Sequence, residues 1–126
     1  RSTLHGDIGN ALLMKGQIEQ AVTEFELESS KLSRLPGQAV IAHRAGNRPG
    51  ADQALSELQA EFGNNALYQQ AQIYAQWNDA DAAFSTLYKA RTAFDSGLVY
   101  LLNDPFLEPL RDDARFKTLL SGLKFT

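Results

Sequence analysis

Small and apolar side chains recur along this chain at helical spacing, in three successive sets. Gly9, Leu12, Gly16, Ala21, Phe25 and Glu28 form the first. A shift of 30 residues gives Ala39, Ala42, Gly46, Ala51, Leu55 and Leu58, and a further 32 gives Ala71, Tyr74, Asn78, Ala83, Leu87 and Ala90. The first and fourth slots are always Gly or Ala, the third is Gly, Gly and Asn, and the fifth is Phe, Leu and Leu. Small residues let two helices cross closely. Gly16, Gly46 and Asn78 can adopt positive φ where one helix ends and the next begins. The large fifth residue fills the space that the small ones leave.

Each set therefore predicts a helix, a tight turn and a second helix. The expected pairs are 2–15 with 17–31, 37–45 with 48–62, and 64–77 with 79–93. Gln17, Asn47 and Asp79 open the second helices, and Pro49 suits a first helical turn. Irregular backbone is expected around 34–37. Helix 64–77 carries one apolar stripe of Leu67, Ala71 and Tyr74 and another of Ile73 and Trp77, so it should be packed on two sides, with Trp77 in the core.

The last 32 residues break the pattern. The run Leu98-Val99-Tyr100-Leu101-Leu102 predicts a short helix over 96–103. Pro105 and Pro109 forbid a continuous helix over 104–113. Asp112 or Asp113 then caps a final helix with Phe116, Leu119, Leu120 and Leu123 on one face. The end of a helical array exposes an apolar face. Leu98, Leu101, Leu102, Phe106, Phe116 and Leu120 could cover it.

The three sets resemble the tetratricopeptide repeat. His5-x-x-Ile8-Gly9-x-x-Leu12 lies where that family has W-x-x-L-G-x-x-Y, and Ala21-x-x-x-Phe25 matches its A-x-x-x-F. The third set matches as Leu67-x-x-Gln70-Ala71-x-x-Tyr74 with Ala83-x-x-x-Leu87 and Ala90; the second is weakest, with Ala42 in the aromatic slot. Glu28 and Leu58 depart from the small residue near the repeat end. The tail, Asp104-Pro105-Phe106-Leu107-Glu108-Pro109-Leu110-Arg111 followed by Arg115-Phe116 and Leu119-Leu120, is similar to the segment that closes the repeat array of many bacterial signalling proteins. There the upstream partners include winged-helix regulators, cyclase-like proteins and kinases.

The resemblance implies an all-α fold: one domain, 1–126, of three helix-turn-helix repeats at about 2–35, 36–63 and 64–94 in a short right-handed solenoid, closed by a cap at 95–126. It also implies a partner-binding groove along the first helix of each pair. Carried over, the lining is Asn10, Leu13 and Met14, then Val40, His43 and Arg44, then Tyr68, Gln72 and Gln76, with Gly6, Pro36 and Ala75 on the same stripes. The amides suit a peptide backbone. Only Asn10 and Arg44 resemble a carboxylate clamp, so a chaperone-tail specificity is not expected.

Composition narrows the function. Net charge is −3, and both 1–35 and 95–126 carry four basic and five acidic residues, so no basic face invites nucleic acid. No apolar run approaches the roughly 20 residues of a membrane span. Without cysteine there is no thiolate chemistry. The two histidines, His5 and His43, fall in different repeats, and a metal site wants three or four ligands. His5 is expected to pack in the tryptophan slot. The pairs Asp79/Asp81 and Asp112/Asp113 lie at helix starts, where carboxylates complement the helix dipole. No nucleophile elbow, phosphate loop or metalloprotease motif occurs. Neither an enzyme nor a cofactor is expected.

The leading expectation is a non-enzymatic module that binds a protein or peptide, from a larger bacterial signalling or regulatory protein. The alternative is self-association through the flank at Leu4, Ile8 and Leu12, giving a homodimer. The start at Arg1 reads as an excised or processed piece. A cytoplasmic location is favoured, with the periplasm open if the parent spans a membrane.

Overall fold

The computed structural model describes residues 4–93 and 95–122. Among them every regular element is helical: α1 (Leu4–Met14), α2 (Ile18–Leu27), α3 (Lys31–Arg44), α4 (Arg48–Phe62), α5 (Leu67–Gln76), α6 (Ala80–Thr92) and α7 (Ala114–Ser121), with 3-10 turns at Gly63–Ala66, Ser96–Tyr100 and Pro105–Leu110. The chain divides into two compact units, Arg1–Phe62 and Gly63–Thr126.

The joints inside the three hairpins are built alike. Gly16, Gly46 and Asn78 have φ of 80°, 76° and 61°. The next N–H in each case donates back across the helix end: Gln17 to the Leu12 carbonyl at 2.9 Å, Asn47 to Ala42 at 2.8 Å and Asp79 to Tyr74 at 2.9 Å. This is the left-handed helix stop that satisfies otherwise orphaned carbonyls. The same residue's carbonyl then accepts the first bond of the next helix, from Ala21, Ala51 and Ala83, each at 3.0 Å. Asn47 and Asp79 add side-chain caps to the amides of Gly50 and Ala82.

In the first unit, hairpin α1–α2 packs on α3, which pairs with α4. Phe25 is fully buried, and its ring lies where Gly9 and Gly37 lack a Cβ. A methyl on Gly9 would sit 2.8 Å from the ring, and one on Gly37 would overlap it. Glu28 is also buried. Its carboxylate accepts from the amide of Gly6 in the first turn of α1 (2.7 Å) and from that of Ser30 (2.9 Å). The departure from a small residue at position 28 is thus a cap for another helix.

Two boundary expectations are corrected. Helix 17–31 stops at Leu27, and the irregular backbone falls at 28–30, not 34–37. Helix α3 begins at Lys31, with Ser30 as its cap, and runs through Pro36. Proline removes one helical bond and is costly in a helix interior. Here Leu35, Pro36, Gly37, Ala39 and Val40 are all buried, so tertiary packing outweighs the local penalty. Lys31 bridges to Glu57 (3.1 Å) and Glu61 (2.5 Å) on α4, which raises its pKa, first through Glu61.

In the second unit, Leu67, Ala71, Phe84 and Leu87 of the α5–α6 hairpin form one core with Leu98, Leu101, Leu107, Leu110, Phe116 and Leu119. Phe106 is buried too. The short helix expected over 96–103 is a 3-10 turn at Ser96–Tyr100, and Pro105–Leu110 forms a second. Leu102 is 47% exposed and does not join the core; Leu107 and Leu110 do so instead. Asp113 caps α7, and Arg115 joins it to Asp81 of α6 at 2.7 Å while lying 4.6 Å from the centre of the Phe84 ring. Leu123 lies outside the described residues. Trp77 is half-buried at the end of α5, edge-on to Tyr74, rather than in the core.

Candidate partner-binding face

One face of α5 carries Tyr68, Gln72 and Gln76, one per helical turn. All three donate to the chain's own downstream segment. The Tyr68 hydroxyl donates to Asp104 Oδ2 at 2.5 Å, and the Gln72 amide donates to the same oxygen at 2.7 Å. The Gln76 amide donates to the carbonyl of Phe106 at 2.8 Å. Asp104 Oδ1 accepts from the amide of Phe106 at 2.9 Å, which starts the 3-10 turn. Arg111 closes the far side, donating to the carbonyls of Leu102 and Asp104, both at 2.7 Å.

Tyr68 is held at its other end as well. Its backbone amide donates to Asp95 Oδ2 at 3.1 Å, and Asp95 Oδ1 accepts from Gly97 at 2.8 Å. A methyl on Gly97 would meet the Tyr68 ring at 2.6 Å, so glycine permits this approach. Burial, and then the hydrogen bond to Asp104, push the Tyr68 phenol far above the ordinary tyrosine range. It therefore stays a donor. The stripe expected to line an open groove is, at Tyr68, a buried contact filled by residues 104–106.

The first unit distributes its expected lining differently. Leu13 and Val40 are fully buried and belong to the core. Gly6 is buried where a Cβ would meet Ser33 of α3 at 3.0 Å. Asn10 and Met14 are half-buried, and the Asn10 carbonyl oxygen has no hydrogen-bond partner. His43 and Arg44 are exposed on the last turn of α3. His5 does not pack in the slot expected for it. Its side chain is 47% exposed and meets Glu24 at 2.8 Å.

Sequence reasoning missed Asp104, Asp95 and Glu28 as polar anchors. Asp104 had a readable signal: an aspartate before proline favours a turn start. Its partner on α5 had none. Among the described residues, no three His, Cys, Asp or Glu side chains converge as metal ligands, and no helix is long and apolar enough to cross a membrane. Comparison with protein-family models, curated proteins and solved structures gives no match.

Proposed function

We propose that this chain is a non-enzymatic protein–protein interaction module of the tetratricopeptide kind, acting within a larger bacterial signalling or regulatory protein. Its partner is a protein or an extended peptide. The carrying observation is that Tyr68, Gln72 and Gln76 hold the non-α-helical segment 104–106 by bonds to a carboxylate and a main-chain carbonyl. A helix face that grips one such segment has the chemistry to grip another. The shared hairpin joints support the family assignment, since hairpins so built stack into right-handed solenoids in that family.

The test is selection of random peptides on the immobilised chain, followed by titration calorimetry with the wild type and with Arg44→Ala and Gln72→Ala variants. The reading expects selected peptides whose affinity falls at least tenfold in one of the variants. Enrichment of no peptide would overturn it.

A second reading, self-association, is favoured by exposure on the first hairpin. Leu4 is 58% and Ile8 38% exposed one turn apart on α1, and Leu27 of α2 is 57% exposed. Light scattering at two concentrations tenfold apart distinguishes them: a dimer supports this reading, and a monomer at both removes it.

A further inference from the structure

We propose that residues 104–106 act as a ligand held in cis, and that the partner read by α5 is a peptide of the same chemistry: a carboxylate followed, two residues on, by an aromatic side chain. The proposal rests on the peptide-binding reading above and names its ligand.

A mere cover would need only apolar contact. Leu98, Leu101, Leu107, Leu110, Phe116 and Leu119 already close the apolar surface of α5 and α6. A buried carboxylate adds a desolvation penalty that an apolar side chain would not. Asp104 is nevertheless 9% exposed, and the donors that reach it are all neutral: a hydroxyl, an amide and a backbone N–H. The nearby cation, Arg111, bonds to main-chain carbonyls instead. Buried polar groups of this kind contribute selectivity more than stability. They would reject a segment lacking the carboxylate, because Tyr68 and Gln72 would then be left unpaired.

The attachment also divides into two parts. Leu107 and Leu110, at 0% and 1% exposure, anchor the rear of the segment. The front, Asp104 to Phe106, is held by the three α5 side chains, by Arg111 on the Asp104 carbonyl and by the buried Phe106 ring. The front differs from the rear in being held mostly by polar bonds, and a peptide that offers the same carboxylate and ring can exchange those bonds one for one. A tethered segment competes at an effective concentration of roughly millimolar, so an external peptide meets a face that is mostly filled.

The probe is a fluorescent peptide copying residues 103–110, Asn-Asp-Pro-Phe-Leu-Glu-Pro-Leu, added to the full chain and followed by anisotropy. Asp104→Asn in the chain weakens the cis contact without changing its shape. The variant should bind the native-sequence peptide at least tenfold more tightly than the wild type does. A peptide carrying Asp104→Asn should bind that variant at least tenfold more weakly than the native peptide. Equal binding by both chains, or no binding by an Asp104→Asn chain whose circular dichroism matches that of the wild type, would overturn the proposal.

Hydrogen exchange on the wild type gives an answer that needs no variant. The Phe106 amide should exchange at least tenfold faster than that of Leu87 in the core of α6. Equal protection would mean that the front never lifts alone, and the proposal would fall. Peptides selected on the chain that lack the acid–aromatic spacing would remove this proposal while leaving the peptide-binding reading intact.

Discussion

In the first unit, two hairpins meet through absent side chains. Gly9 and Gly37 make room for Phe25, and Gly6 lies against Ser33. In the second, one hairpin meets a pair of 3-10 turns, and the contact is made by Tyr68, Gln72 and Gln76 reaching across to Asp104 and Phe106. The difference follows from what each neighbour presents. An α-helix has satisfied its own backbone and offers an apolar stripe, so a small residue opposite is enough. Short 3-10 turns leave more backbone groups unpaired. The α5 side chains opposite them are polar: Gln76 reaches the Phe106 carbonyl and Tyr68 and Gln72 the Asp104 carboxylate, at positions where α3 holds Arg44, Pro36 and Val40.

Phe25 separates the two units most strongly. Phe25→Ala should destabilise by about 3–5 kcal/mol, the usual cost of emptying a large aromatic site. In hydrogen exchange, the loss of protection should concentrate in α1–α4. Equal loss in α5–α7 would mean that the two units do not open separately.

Tyr68→Phe tests the polar contact of the second unit. It removes one donor from a buried carboxylate and should cost about 2 kcal/mol in urea unfolding. The same residue sets an alkaline limit. A phenol whose folded pKa is raised contributes stability that is fully present below its unfolded value, 10.0, and is lost as pH rises beyond it. Wild-type stability should therefore fall above about pH 10, with that component missing in Tyr68→Phe.

The hairpin joints should behave alike in both units. Gly16→Ala and Gly46→Ala should each cost about 1 kcal/mol, because a Cβ disfavours positive φ. Asn78→Gly should be neutral or slightly stabilising. Thermal unfolding checks all three; an Asn78→Gly variant as impaired as the alanine variants would show that the Asn78 side chain matters beyond its φ.

The smallest effect is at the half-buried cap of α7. Asp113 is held down to about 2, first by the Arg115 guanidinium and then by the Arg115 backbone amide. A carboxylate with a lowered folded pKa stabilises above its unfolded value of 3.8, and that contribution is lost as pH falls towards about 2. Chemical shifts across Ala114–Ser121 should move towards coil in that window. Asp113→Asn should shift them at neutral pH.

The repeated joints were legible because they depend on neighbours in sequence. Gly16, Gly46 and Asn78 stop helices through their own φ and through bonds spanning a single turn, so residue type alone carries the information. The helical class followed from the spacing of Ala21, Phe25, Ala51, Leu55, Ala83 and Leu87 for the same reason. The stripe at Tyr68, Gln72 and Gln76 was also legible as a face, from helical periodicity.

What occupies that face was not. Tyr68 meets Asp104 across 36 residues, and no local pattern pairs a phenol with one carboxylate among 15 acidic residues. The continuation of α3 through Pro36 and the burial of Glu28 are of the same kind. Each violates a local preference and is retained by contacts made elsewhere. The hairpin turns at Gly16, Gly46 and Asn78 and the apolar faces of the helices could be read from the chain, because they are short-range properties; the boundary between α2 and α3 at 28–30 could not. Which polar groups are buried together, such as Tyr68 with Asp104, follows from the fold alone, because it depends on which distant segment comes to lie opposite.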